Sequence, residues 1–201
     1  MLDNDMPNRF ERHKQRTRQL LMRATLELIS EKGYEAVSVL DITERADLGR
    51  GTFYLHFKNK EDILWLIMEE YFDRESAAID EQVAAEPSPR REFLSWVAFF
   101  ENVQRHSQIH ALIKNANSAF LRERISQYLL NVHERNLRAG RYSAHIDLPP
   151  DFQAAFASGA TLSVVEWWMN DTQKYSAYEV ARMFYRMVYR QPPPEDSLSS
   201  E

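Results

Sequence analysis

The chain has 201 residues, 25 Lys and Arg against 30 Asp and Glu, and no cysteine, which leaves room for one large domain or two small ones and excludes thiol catalysis, cysteine-ligated zinc and iron–sulfur chemistry. A net charge of −5 argues against indiscriminate polyanion binding, so any nucleic-acid site has to be local. The acidic start Met1-Leu2-Asp3-Asn4-Asp5-Met6 carries no signal-like apolar run, and no stretch approaches the ~18 apolar residues of a membrane span, so a cytoplasmic chain is expected.

Apolar residues recur at three- and four-residue spacing nearly throughout, which predicts an all-α chain. A first helix is expected from about Thr17, striped by Leu20, Leu21, Ala24, Leu28 and Ile29 and ended by Gly33. Residues 1–16 form an arm, and Arg9, Arg12, Lys14, Arg16 and Arg18 make it basic; it reads either as a phosphate- or minor-groove-binding arm or as a solvated tail. A second helix opens at Ser38, with Asp41 in the capping-box position and Val37 and Ile42 as a hydrophobic staple, and ends near Ala46. After the turn Asp47-Leu48-Gly49, a third short helix carries Arg50 to Phe57, with Phe53 and Phe57 on its inner face. Asn59 caps a fourth helix, whose buried stripe is Ile63, Leu64, Ile67, Met68, Tyr71 and Phe72.

Pro87 and Pro89 break the pattern, and a helix from about Arg90 carries Phe93, Trp96, Val97 and Phe100. Helical segments are expected at about 107–117 and 119–139, the second striped by Phe120, Ile125, Tyr128, Leu129 and Val132. Pro149-Pro150 start a helix holding Phe152, Phe156, Gly159 and Leu162, and a last helix spans about 176–190. The Pro- and Ser-rich residues 191–201 read as a disordered tail.

Two short helices joined by a tight turn after a longer one have the spacing of a helix-turn-helix, whose second helix enters the DNA major groove. That second helix and the residues after it offer Arg50, Thr52, Tyr54, His56, Lys58 and Lys60, all able to bond phosphates or base edges. The stretch Ser38 to Ala46, followed by Gly51-Thr52-Phe53-Tyr54-Leu55-His56-Phe57-Lys58-Asn59-Lys60-Glu61-Asp62, resembles the DNA-binding domain of the tetracycline-repressor-like (TetR) family over about residues 17–65. Asp47 stands where that family usually has Gly in the turn, and Gly49 where it often has a Ser or Thr N-cap; Asp tolerates a left-handed turn and Gly is an acceptable cap.

The resemblance implies that Thr52, Tyr54 and His56 bind the DNA backbone and that Lys60 holds another phosphate, while Gly51 lets the helix approach closely. Arg50 is the candidate base contact, since its fork can bond O6 and N7 of guanine. Ser38 has a capping role, with a phosphate contact as the alternative. On the same resemblance the chain is divided into the arm, a three-helix DNA-binding domain at 17–62, a larger helical domain at 63–190 that dimerises and holds a small effector, and the tail.

For that larger domain, Phe152, Phe156, Gly159, Val180, Phe184 and Met187 give apolar faces suited either to a two-fold four-helix bundle or to the core of a single chain. One short recognition helix makes few contacts, which favours the dimer. Trp96, Phe100, Tyr128 and Trp167 with His110, Asn117 and His133 are the candidate pocket for a small hydrophobic or aromatic effector. His106 and His110, four apart, could share a metal, although a hydrogen-bonded structural pair is preferred, and neither metal nor cofactor is expected. No catalytic elbow, phosphate loop or His-Glu-x-x-His motif is present, so an enzyme is not expected. The expected function is therefore a regulator, most often a repressor, that binds a palindromic operator as a homodimer and is released by its effector. The competing readings are a helical interaction module and an architectural DNA-binding factor without an effector.

Overall fold

Side-chain caps at Ser38, Asn59 and Ser176 set the starts of three helices. The computed structural model describes residues 9–107, 109, 119–141, 148–171 and 174–194, within which every regular element is an α-helix. They are α1 (Arg9–Lys32), α2 (Val39–Arg45), α3 (Arg50–His56), α4 (Lys60–Gln82), α5 (Arg90–Arg105), α6 (Ala119–Arg138), α7 (Pro150–Trp168) and α8 (Ala177–Tyr189). The helix expected over 107–117 falls almost wholly outside the described residues, as do residues 1–8 of the arm and 195–201 of the tail. The chain divides into two units, Met1–Glu70 and Tyr71–Glu201, with the division inside α4.

In the first unit, α1 starts at Arg9 rather than at Thr17. Arg, Glu, Lys and Gln all favour helix, so the chain is helical ahead of the point where apolar spacing first becomes visible. Leu20 is exposed and leaves the expected stripe, while Leu21, Met22, Ala24, Thr25, Leu28 and Ile29 make the buried face. Gly33 ends the helix at φ +77, a left-handed conformation that glycine adopts without a Cβ clash. Ser38 then caps α2: its hydroxyl accepts from the Asp41 amide, and the Asp41 carboxylate accepts from the Ser38 amide. Arg45 reaches back to α1 and holds both oxygens of Glu31 at 2.8 and 2.7 Å, while Lys32 bonds Asp41 at 2.9 Å. These exposed pairs link α1 to α2 and add little energy. Asp47 takes the left-handed turn at φ 53, and Gly49 caps α3 without a side-chain bond. Asn59 caps α4 by accepting from the Asp62 amide at 2.8 Å.

In the second unit, α5, α7 and α8 share one aromatic core. Phe93, Trp96, Phe100, Val103, Val165, Trp168, Val180, Phe184 and Tyr185 belong to it, with the rings of Trp96 and Phe184 4.3 Å apart. Ser176 and Glu179 form the capping box that starts α8. Helix α6 lies along α7, tied to it by Arg122 and Glu166 at 2.6 Å. In α6 the expected stripe needs one correction: Phe120 is exposed, and Leu121 and Ile125 carry the buried side. Among the described residues no helix is long and apolar enough to cross a membrane.

Candidate nucleic-acid interface and ligand cavity

The seven residues of α3 sort by the helix's 3.6-residue turn. Phe53 and the C-cap Phe57 face inward, fully or almost fully buried, with ring centroids 5.5 Å apart. Gly51 and Leu55 point the opposite way and are exposed, Leu55 to 80%. Arg50 and Tyr54 occupy one flank and are exposed; Thr52 and His56 occupy the other and are half-buried. The helix is thus anchored by two phenylalanines and presents hydrogen-bonding groups along both edges of an open face. A Cβ at Gly51 would meet nothing within 4 Å, so nothing within the chain demands glycine there, whereas close approach to a partner surface would.

The flank bearing His56 is continuous with α1. Burial, and then the positive charges of Lys14, Arg18 and His13, hold the His56 imidazole below its ordinary pKa. Arg18 also lies 5.8 Å from the Phe57 ring centroid. Lys14 and Arg18 therefore stand on a rigid helix beside the C-terminal end of α3, where the sequence suggested a separate arm.

The remaining two candidates are held by local structure. Lys60 donates to the Tyr34 carbonyl at 3.0 Å and sits 4.1 Å from the Tyr34 ring, which fastens the start of α4; an ammonium has three donors, so others remain for an anion. The Ser38 hydroxyl donates to Asp41 at 2.6 Å, so its proton is engaged in the cap.

The second unit contains a cavity of about 760 Å³ lined by α4, α5, α6, α7 and Arg141. Three of the pocket candidates lie on its wall: Trp96, Tyr128 and His133. Two do not. Phe100 is fully buried in the aromatic core against Trp168 and Phe184, and Trp167 faces outward from α7 with its ring against Tyr175. His110 and Asn117 lie outside the described residues. Phe72, Ile79, Val83, Phe99, Ile125, Leu129, Val132, Leu162 and Met169 supply most of the apolar wall, which the aromatic count alone could not assign.

Two arginines of the wall pair with carboxylates, Arg141 with Asp80 and Arg122 with Glu166, and Arg91 donates to the Glu86 carbonyl at 2.9 Å; Glu75 accepts from Asn102, and the Tyr128 hydroxyl donates to Asp73 at 3.0 Å. His133 is buried, its ring 5.7 Å from that of Trp96, and burial pushes its pKa down to about 4. The Thr161 hydroxyl gives its proton to the Ala157 carbonyl at 2.8 Å, so in its 3.4 Å contact with His133 it accepts from the Nε2–H. His106 stacks edge-on against Tyr71, and among the described residues no three His, Asp or Glu side chains are grouped to hold a metal.

The dimer candidates also separate. Phe152, Phe156 and Gly159 are exposed along one side of α7, in line with Ser163 and Trp167, and Met187 is exposed on α8. Val180 and Phe184 are buried in the core of the second unit, packed with Trp96 and Phe100, and are not available to a partner.

The first unit thus holds a capped helix-turn-helix with an anchored second helix, and the second unit holds a ligand-sized cavity. Residues 21–65 match the family model of the bacterial regulatory proteins, tetR family. The transcriptional regulator YuxN of Bacillus subtilis is 24% identical over 120 residues, 59% of this chain but only 41% of its own length. The fatty acid metabolism regulator protein of the same bacterium is 28% identical over 164 residues, 76% of this chain and 83% of that protein. The solved structure of RolR in complex with resorcinol shares the fold at a TM-score of 0.66 and 20% identity, covering 90% of this chain and 89% of that one. Over residues 21–65, then, the chain is similar to the bacterial regulatory proteins of the tetR family.

Proposed function

We propose that the chain is a cytoplasmic transcriptional repressor, not an enzyme, that binds a palindromic operator as a homodimer and leaves it when a small hydrophobic or aromatic molecule fills the cavity. The observation that carries the DNA-reading half is the four-way division of α3: two buried phenylalanines, two donor-bearing flanks and an open central face. Tyr54, Thr52 and His56 would bond phosphates from the flanks, with Lys60 and the Lys14–Arg18 edge of α1 extending the footprint, and Ser38 holding α2 in place. Arg50, at the start of the helix and exposed, would reach a guanine edge.

Dimerisation is supported by the exposed stripe of Phe152, Phe156, Gly159 and Trp167 on α7 and by Met187 on α8, an apolar surface that a second copy can cover. The effector reading is supported by the size of the cavity and by its largely apolar wall, which favour a hydrophobic or aromatic ligand with a few hydrogen-bonding atoms. RolR, bound to resorcinol, is an example of a protein of this fold with a small aromatic ligand.

The test is a titration of the protein–operator complex with small phenols and other uncharged aromatics, read by fluorescence anisotropy of labelled duplex. An effector is expected to weaken operator binding by roughly 5- to 150-fold, the usual range of coupling between two sites. A compound that binds the cavity tightly and leaves operator affinity unchanged would contradict the release mechanism.

A further inference from the structure

Leu55 is an exposed apolar side chain on a helix whose other outward groups are polar or glycine. It stands about opposite Phe53 and Phe57 around α3, so the packing that anchors the helix also aims Leu55 straight outward. Gly51 lies one turn before it on the same line and presents no side chain, leaving Leu55 as the projection at the centre of that face. Arg50 and Tyr54 on one side, and Thr52 and His56 on the other, border it with hydrogen-bonding groups. In a major groove, a helix with phosphate-bonding flanks has its central line over the base edges, and the apolar feature on those edges is the C5-methyl group of thymine.

We propose that Leu55 is a specificity-determining residue that packs against a thymine methyl in each half-site. This rests on the DNA-reading proposal above and adds a contact of different chemistry from the hydrogen bond assigned to Arg50. A leucine side chain cannot bond a phosphate, and its open surroundings give it no packing role within the first unit.

The experiment uses the full chain and the duplex enriched from random DNA. Each thymine of the site is replaced in turn, symmetrically in both half-sites, by uracil, which removes only the methyl group. Wild-type affinity is expected to fall at one position by about fourfold per half-site, the value implied by losing burial of one methyl-sized group. Leu55→Ala is expected to bind the thymine duplex more weakly by a similar factor and to be indifferent to uracil at that position. Tyr54→Phe, which alters a flank contact, should keep the full uracil effect, and an unchanged melting temperature of Leu55→Ala would show that the head is intact. Uracil tolerated at every position by the wild type, or a uracil effect undiminished in Leu55→Ala, would overturn the proposal while leaving DNA reading in place. Failure to enrich any duplex would remove both.

Discussion

Replacing Phe152 and Phe156 together by Glu is expected to convert the protein to a monomer and to lower operator affinity by roughly 10²- to 10⁴-fold, the gain that a linked second binding event ordinarily supplies. Both rings are 59% exposed in the single chain, so their removal takes little from the chain's own core. In a two-fold interface the same four rings would be buried, and the double substitution would force four carboxylates into that apolar contact. The contrast is Phe184→Ala. Phe184 is almost fully buried, 4.3 Å from the Trp96 ring centroid and 5.7 Å from that of Phe100, and its truncation should cost about 3–5 kcal/mol and destabilise the second unit itself. Sedimentation and thermal melting separate the two outcomes: a folded monomer for the α7 variant, a lowered melting temperature for the α8 variant. An α7 double variant that stays dimeric would place the interface elsewhere.

Acid should destabilise the protein through His133. Its pKa of about 4 in the folded chain lies below the 6.5 of an exposed imidazole. Between those values the unfolded chain takes up a proton that the folded chain refuses, so stability falls as pH falls from 6.5 toward 4 and is unaffected by this residue well above 6.5. The full loss is about 3 kcal/mol, and between pH 7.5 and pH 5 it is about 2 kcal/mol. His133→Gln keeps a side-chain amide donor near Thr161 and does not titrate. Urea unfolding at the two pH values should therefore show a stability drop in the variant smaller by that amount than in the wild type. Equal drops would mean that the imidazole is more hydrated than its burial beside Trp96 implies.

The helix-turn-helix was legible because its determinants are local. Ser38 with Asp41, Asp47 in its turn and Gly49 before Arg50 each act within a few residues, and all stand in the structure as their neighbours in sequence suggest. The first turns of α1 were not, because a helix of Arg, Glu, Lys and Gln has no apolar stripe to announce it. In α8 the apolar residues do not confine themselves to one side: Val180 and Phe184 face the core and Met187 faces out, and three-to-four spacing fits both faces. Phe100 and Trp167 were similarly open. An aromatic count says how much ring surface must be buried, while only tertiary packing decides that Phe100 meets Trp168 and that Trp167 does not line the cavity. Leu55 reads as a core residue in isolation, and its outward direction follows only once Phe53 and Phe57 are known to point inward.

The most direct test of the central claim is selection of bound duplexes from random DNA by the full chain, repeated with Arg50→Ala and at two salt concentrations. A palindromic sequence is expected, with the centres of its half-sites ~34–36 Å apart or a multiple of that. Arg50→Ala should relax the preference at one guanine per half-site, at a cost of about 1–3 kcal/mol. Affinity for the enriched duplex should fall as salt rises, through the phosphate contacts of α3 and α1. No enriched sequence at either salt concentration, or a preference untouched by Arg50→Ala, would contradict the assignment of α3 as the reading helix with Arg50 as its base contact.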